Sequence, residues 1–500
     1  MIGFVPQDDV LHAELTVYGN LFYSSELRLP AHWSAKHRED LRNAVLELME
    51  LQDLVNETVG DAASTGLNGG KRKALSIATE LVAAPGAIFL DEPTTGLDAA
   101  TSLSLCQVLK DIAVRANVSV AMVVHQPRVE IFNALDELLI LGPQGYTVYQ
   151  GPQAEAVKYF ETVGQVTFLP HQNPADVIMD AVALNGAHLA GKWRECCDRE
   201  IHAPLTIETD NTISEPEPEQ SPAVIVPEAP HFWKQVALFH VRHLEKQLFS
   251  IKDLLIELLV VGLCGLVLGQ ALRNFSLTSR YKGPYKAISP QPFDSILPQL
   301  HLYMMMSLGL GASVAGVNVF GRERQNYYRD AQSGCNRLSY FLGTATASFY
   351  RIAVGALIFG SLVHHISATP IPFDGFFGVM LLAYFCNYGA ACAVSVVAST
   401  RDAPLVASTL SILSSVFNGF VPFPTVLCYF FAPFWGSQIL HQKHNDYVLS
   451  YGESTLAPFG YEEVTVVPPA VSYVVMFLWG LVYFLVTLVL LLRFNMSKQA

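Results

Sequence analysis

Six long apolar runs fill much of the second half of this 500-residue chain, and they restrict its fold more than any other feature. They lie at about 254–272, 300–320, 340–363, 376–398, 405–431 and 471–492. A bilayer core takes ~20 apolar residues per helix, and inside it every backbone N–H and C=O must bond within its own segment. Each run meets that length, so the sequence predicts six membrane-spanning helices. As buried helices of a soluble protein they would need a core larger than this chain can surround. Up to about Leu244 the sequence reads instead as a mixed globular domain. The net charge of −13 excludes nucleic acid as a natural partner, because phosphate binding needs a basic face.

The globular part alternates short β-like runs with helical stretches, as α/β domains do. Residues 87–90 and 118–124 are apolar, rich in β-branched side chains and flanked by turn residues, the pattern of strands buried on both faces of a parallel sheet. Further strands are expected at 138–141 and 147–149, and a helix at 71–83. From about 195 to 230 the periodicity stops. Glu215-Pro216-Glu217-Pro218-Glu219 and its surroundings cannot build a core and read as an acidic linker. Residues 231–250 regain helical spacing, with Lys234, Arg242 and Lys246 between apolar positions, which predicts a basic amphipathic helix at the cytoplasmic membrane surface. The expected division is therefore 1–194, a linker at 195–230, a connecting helix at 231–250, and a membrane domain at 251–500. No basic segment followed by an apolar run opens the chain, so the internal spans must direct it to the membrane. The eight cysteines show no zinc spacing and no disulfide framework.

Three signals of phosphate chemistry occur in fixed order in the globular part. Leu67-Asn68-Gly69-Gly70-Lys71 is a glycine turn opening a helix. Ala87-Ile88-Phe89-Leu90-Asp91-Glu92-Pro93 is a strand ending in two carboxylates, with Gly96-Leu97-Asp98 soon after. Val123-Val124-His125-Gln126-Pro127 is a strand ending in a histidine. Any one of these is weak alone. In series they resemble the nucleotide-binding domain of an ABC transporter, a P-loop NTPase-type α/β fold. The phosphate loop Gly-x-x-x-x-Gly-Lys-Ser/Thr does not occur in the chain. The chain opens instead at Met1-Ile2-Gly3-Phe4-Val5-Pro6-Gln7-Asp8-Asp9, which is similar to the Q-loop that follows that loop in the family. The resemblance thus implies an incomplete nucleotide-binding domain, truncated before the Q-loop.

Within the family the order of domains resembles subfamily G, the white and pleiotropic-drug-resistance type, whose members include lipid, sterol and drug exporters. The resemblance implies ATP and Mg²⁺ as cofactors. Asp91 would hold Mg²⁺ through water and Glu92 would act as general base. His125 would contact the γ-phosphate, Gln7 would sense the phosphate and the metal, and Asp98 would reach toward a partner subunit. Asn68, Gly69, Gly70 and Lys71 stand at the signature loop, where the family has Ser-Gly-Gly-Gln or Ser-Gly-Gly-Glu. Backbone amides there can still receive a γ-phosphate, Asn68 keeps a side-chain donor, and Lys71 adds charge toward the phosphates.

Residues 320–330 between the second and third runs, with Arg322, Glu323, Arg324, Tyr327 and Tyr328, resemble the subfamily's coupling helix. On that reading, reversing Glu323 and Arg324 uncouples hydrolysis from transport and leaves folding intact. Residues 432–470 are similar to its large external loop. Placing the nucleotide domain in the cytosol puts Arg322, Arg324, Arg329, Arg337, Arg401, Arg493 and Lys498 inside, as the positive-inside rule requires, whereas Arg273, Arg280, Lys282 and Lys286 fall outside. The resemblance implies a multi-pass half-transporter among membrane lipids. It would move a lipid-like or amphipathic small molecule as a homo- or heterodimer. A catalytically inactive partner subunit and a gene model that starts too late stand beside it as alternatives.

Overall fold

A computed structural model describes residues 2–60, 66–169, 171–201, 230–273, 293–369, 371–421, 423–450 and 467–493. The chain separates into two compact units, Met1–Pro230 and His231–Ala500. Most of the acidic linker, the segment between the first two apolar runs, and residues 451–466 lie outside the described residues.

The first unit holds a parallel sheet of β1 (Ile2–Val5), β2 (Ala87–Asp91) and β3 (Ser119–Val123), in that spatial order. The register sets Val5 beside Leu90 and Asp91 beside Val123, so the carboxyl ends of all three strands lie together. Between β1 and β2 run α1 (Val17–Arg28), α2 (Ala35–Leu48) and α3 (Gly69–Leu81). Each begins at a polar side chain that accepts a first-turn amide: Thr16 from Gly19, Ser34 from His37, and Asn68 from Lys71. Buried ion pairs tie these helices together, Arg28 to Glu80 at 2.6 Å and Arg38 to Glu26 at 2.6 Å. Helix α4 (Ala99–Arg115) joins β2 to β3.

After α5 (Val129–Ala134), β4 (Glu137–Leu141) and β5 (Thr147–Pro152) pair antiparallel. Helices α6 (Gln153–Thr162) and α7 (Pro174–Ile201) cover them around Val148, Tyr149, Phe160 and Val182. Helix α7 runs seven residues past the expected boundary at 194, because 195–201 still continue it.

In the second unit, α8 (Phe232–Phe249) leads into α9 (Ile251–Arg273), α10 (Phe293–Phe320), α11 (Arg324–Gln332), α12 (Arg337–Ser367) and α13 (Phe373–Val397). The chain continues through α14 (Ala403–Val416), α15 (Thr425–Cys428), α16 (Ala432–Ser450) and α17 (Pro469–Arg493). Helix α13 is central, packed against α10, α12, α14 and α17. Small residues allow the close approach. A Cβ on Gly316 of α10 would fall 2.6 Å from the Tyr388 carbonyl oxygen and 2.8 Å from the Ala391 Cβ.

Among the described residues five helices are long and apolar enough to cross a membrane: α9, α10, α12, α13 and α17. The run at 405–431, expected as one span, is instead a 14-residue apolar helix, α14, followed by a turn and α15. Fourteen residues rise only ~21 Å, short of a ~30 Å hydrocarbon core. The break has a local cause. Asn418 accepts the Phe420 amide at 3.0 Å, Gly419 takes φ 93°, and Pro424 precedes the next helix. Counting apolar residues passed over these turn formers. The region expected as an external loop, 432–470, begins with the helix α16.

The connecting helix also differs from its expected character. Helix α8 turns Gln235, Phe239, Arg242, His243 and Lys246 into the second unit, and leaves Trp233, Val241, Leu248 and Phe249 exposed. Two of its three basic residues are thus buried partners rather than surface charges. Arg242 pairs with Asp330 at 2.8 Å and Lys246 with Glu323 at 2.8 Å. Burial pushes the His243 imidazole down to about 4, so at neutral pH this cluster balances two cations against two carboxylates.

Candidate active site

Three side chains from three strand ends meet in the first unit. Gln7 follows β1, Glu92 follows β2, and His125 follows β3. The Gln7 amide Nε2 donates to Glu92 Oε2 at 2.8 Å, and His125 Nε2 lies 2.7 Å from Glu92 Oε1. Ligands of open parallel α/β sheets bind outside the carboxyl ends of the strands, and this cluster stands there. Glu92 is 19% exposed at its side chain and His125 69%, so the carboxylate is sheltered while the imidazole faces solvent.

The backbone makes Glu92 turn. After Asp91 ends β2, Glu92 adopts φ 46°, a left-handed conformation that costs a residue with a Cβ roughly 1–3 kcal/mol. The following turn holds it there, with the Thr95 amide donating to the Glu92 carbonyl at 3.1 Å and the Thr95 hydroxyl to Glu92 Oε2 at 3.1 Å. Gln126 also takes φ 46°, directly after His125. Sequence reasoning did not single out Thr95; the signal was its place three residues after an acidic strand end. Asp91 closes β2, half-buried and one residue before Glu92.

The glycine turn and Asp98 form a second group. Asn68 Oδ1 caps α3 by accepting the Lys71 amide at 2.9 Å. A Cβ on Gly70 would come 2.7 Å from the Thr101 methyl group, so only glycine fits between α3 and the start of α4. Asp98 caps α4, accepting the Ala100 and Thr101 amides at 3.0 Å each and the Thr101 hydroxyl at 2.8 Å. These bonds, the Thr101 amide foremost, hold its carboxyl below the usual carboxylate range. Lys71 differs from its expected direction. Its ammonium turns back to the Glu50 carbonyl oxygen at 2.8 Å, where Glu50 itself has φ 53°. The Asn68–Lys71 turn therefore holds a cap and a tether. Replacing Asn68 by alanine should cost about 1 kcal/mol of stability, whereas Asn68→Ser should be neutral, as read by chemical denaturation of this chain.

Of the residues expected to couple the domains, most are engaged within the second unit. Glu323 bonds Lys246 and accepts the Tyr340 hydroxyl at 3.3 Å. Arg324 Nη2 donates to the carbonyl oxygens of Ser395, Val396 and Ala398 at 3.2, 2.6 and 3.1 Å, capping the end of α13. Tyr327 is buried, donates its hydroxyl to the Leu491 carbonyl at 3.3 Å and packs on Tyr328 and Tyr340. Arg322 stays exposed and pairs with Asp253 at 3.3 Å.

The sequence is similar to known proteins along both units. The family profile described as "ABC transporter" matches residues 1–95. Two profiles described as "ABC-2 type transporter" match 125–194 and 245–436. The chain is 32% identical over 433 residues to "ABC-type transporter claG" of Penicillium crustosum, covering 84% of this chain and 55% of that protein. It is 25% identical over 497 residues to "ABC transporter G family member 28" of Arabidopsis thaliana, covering 86% of this chain and 42% of that protein. With "Broad substrate specificity ATP-binding cassette transporter ABCG2" of Bos taurus it shares 26% identity over 485 residues, 89% of this chain and 71% of that protein. The chain thus spans about half the length of the first two relatives. Five apolar helices and a matched membrane profile make it an integral multi-pass membrane protein. With cassette and membrane profiles matched in sequence order and relatives of the G type aligned across both, the chain belongs to the ABC transporter family, in its G branch.

Proposed function

We propose that this chain is the larger part of a G-type half-transporter, in which ATP hydrolysis drives an amphipathic or lipid-like small molecule across the membrane. The observation that carries this reading is the convergence of Gln7, Glu92 and His125 at the ends of three parallel strands. The residues fit MgATP. A carboxylate at Asp91 offers the oxygen donor that Mg²⁺ prefers, and the first turn of α3 offers backbone amides for an anionic oxygen. Asp91 would hold Mg²⁺ through water, with Gln7 beside it, and Asn68, Gly69 and Gly70 would face phosphate across a homo- or heterodimer interface. When bound, the metal neutralises charge on the phosphates. Glu92 then takes the proton from an attacking water, oriented with His125. Gln7 and Thr95 bond Glu92 Oε2 and His125 its Oε1, so Oε1 keeps a lone pair for that water, and the same contacts tie the base to the two residues assigned to the phosphate end.

The sheet itself supports a domain completed by further residues. Val5, Ile88 and Leu90 are buried in the core with α3 and α4, while the opposite face exposes Ile2 (66%), Phe4 (54%), Phe89 (46%) and Val123 (53%). A large apolar sheet face of this kind calls for a covering layer. On this reading a phosphate loop and its helix would supply that layer. In the membrane domain, α14 together with the apolar segment to Phe431 would form a sixth, broken span. Coupling would use the exposed side of the 322–332 segment, where Arg322 and Gln325 stand. A second reading, a catalytically inactive partner subunit, draws on the Lys71 side chain turned toward Glu50 at the signature.

The 500-residue chain, purified in lipid nanodiscs, should hydrolyse no more MgATP than its Glu92→Gln form. The same chain extended with an N-terminal phosphate-loop segment should gain hydrolysis that depends on Glu92. Hydrolysis by the unextended chain that Glu92→Gln abolishes would remove the need for the missing layer. An extended chain that binds MgATP yet never hydrolyses it would favour the inactive partner.

A further inference from the structure

The cation of Lys73 is the least expected charge in the first unit. It stands in the second turn of α3, only 4% exposed, and its side chain runs inward to the end of β1. There its ammonium donates to the Gln7 carbonyl oxygen at 2.8 Å and to that of Pro6 at 3.5 Å, and pairs with Asp9 Oδ1 at 2.8 Å. Three oxygens from residues 6–9 therefore surround one buried ammonium. Two of these contacts are hydrogen bonds and the third an ion pair, so the cage both bonds and neutralises the buried ammonium. Removing a charged partner from such a site leaves buried acceptors unmet, which costs more than an exposed ion pair returns.

We infer that Lys73 is a positioning residue for Gln7: it fixes the backbone at the end of β1 so that the Gln7 amide reaches Glu92. The inference rests on the nucleotide-site reading above for its catalytic consequence, but its structural core does not. Helix α3 begins at the Asn68 cap, five residues before Lys73, so the glycine turn and the Gln7 segment are held by one rigid helix. Gln7 leaves β1 after Pro6, which has no amide to donate, and the next residues are Asp8 and Asp9.

Two measurements test this. In the 500-residue chain, hydrogen exchange of backbone amides in residues 2–12 should quicken about ten- to hundredfold in Lys73→Met, and return toward the parent rate in Lys73→Arg. Unchanged exchange in Lys73→Met overturns the inference whatever the protein does with ATP. In a hydrolysing, phosphate-loop-extended form, Lys73→Met should lower kcat about tenfold with less than about a threefold change in KM for MgATP. The double variant Gln7→Ala/Lys73→Met should be no slower than Gln7→Ala alone, since both act through one side chain. Losses that multiply would show Lys73 to be a packing cation and would also overturn the assignment. A Glu92→Gln control separates the two ideas. Where it abolishes hydrolysis and Lys73→Met leaves kcat unchanged, only the Lys73 role falls; where Glu92→Gln is silent, the nucleotide-site reading falls.

Discussion

Glu92→Gln should slow ATP hydrolysis about 10²–10⁴-fold in a form of the protein that carries its phosphate loop, with affinity for MgATP changed by less than about threefold. The substitution keeps the side-chain length, the left-handed turn and an oxygen for the Thr95 hydroxyl, and removes the capacity to accept a proton. It also removes the negative partner of His125, now 2.7 Å away. That contact is half in solvent and contributes little to folding. Initial rates and equilibrium binding of a fluorescent ATP analogue would be measured on the same preparation. Equal losses in both would make Glu92 a structural residue of the β2 turn. An unchanged rate would move the base elsewhere.

The second large effect concerns the buried charges where α8 meets the 322–332 segment. Lys246→Met alone, or Glu323→Gln alone, should destabilise the second unit by about 3–5 kcal/mol, because each strands a charge with side-chain exposure near or below 14%. That is roughly a 10 °C fall in Tm for a domain of this size. The pair Lys246→Met/Glu323→Leu should recover most of the loss, since replacing both partners leaves no orphan. Thermal unfolding in detergent, followed by tryptophan fluorescence, reads both numbers. Equal stability in all variants would show that the pair is solvated and unimportant. The same geometry revises the expectation that Glu323 and Arg324 can be reversed without harm. A reversed Arg324 would set a carboxylate against three carbonyl oxygens at the end of α13, and a reversed Glu323 would face Lys246. Loss of folding is the expected result, ahead of any uncoupling.

Much of the candidate site was legible as a linear pattern because its parts are local. A strand that ends in Asp91-Glu92, a strand that ends near His125, and a glycine turn opening a helix each declare themselves within about ten residues. Parallel pairing then brings them together, since its register aligns the strands' carboxyl ends, although the sheet is buried on one face and not on both as expected. The helix caps at Asn68 and Asp98 emerged only in the structure, although capping depends on one short side chain and the next three amides. The long apolar runs declared membrane helices by length alone.

What the sequence could not supply were the directions of long side chains and the interruption of a hydrophobic run. Lys71 and Lys73 stand two residues apart on one helix, and that offset turns them about 200° apart. One meets Glu50 at the surface and the other is buried beside Gln7 and Asp9. Arg242 and Lys246 looked like surface charges because basic residues usually seek water; the carboxylates of Asp330 and Glu323, remote in sequence, drew them inward. The run at 405–431 looked continuous because hydropathy averages over Asn418 and Gly419, whereas a helix ends at a single residue. The sequence by itself determined the periods and the acidic, glycine and histidine punctuation, all set within one or two turns of chain. Only the tertiary structure decided which buried charge met which, because a desolvated cation is stable only where a distant segment delivers its anion.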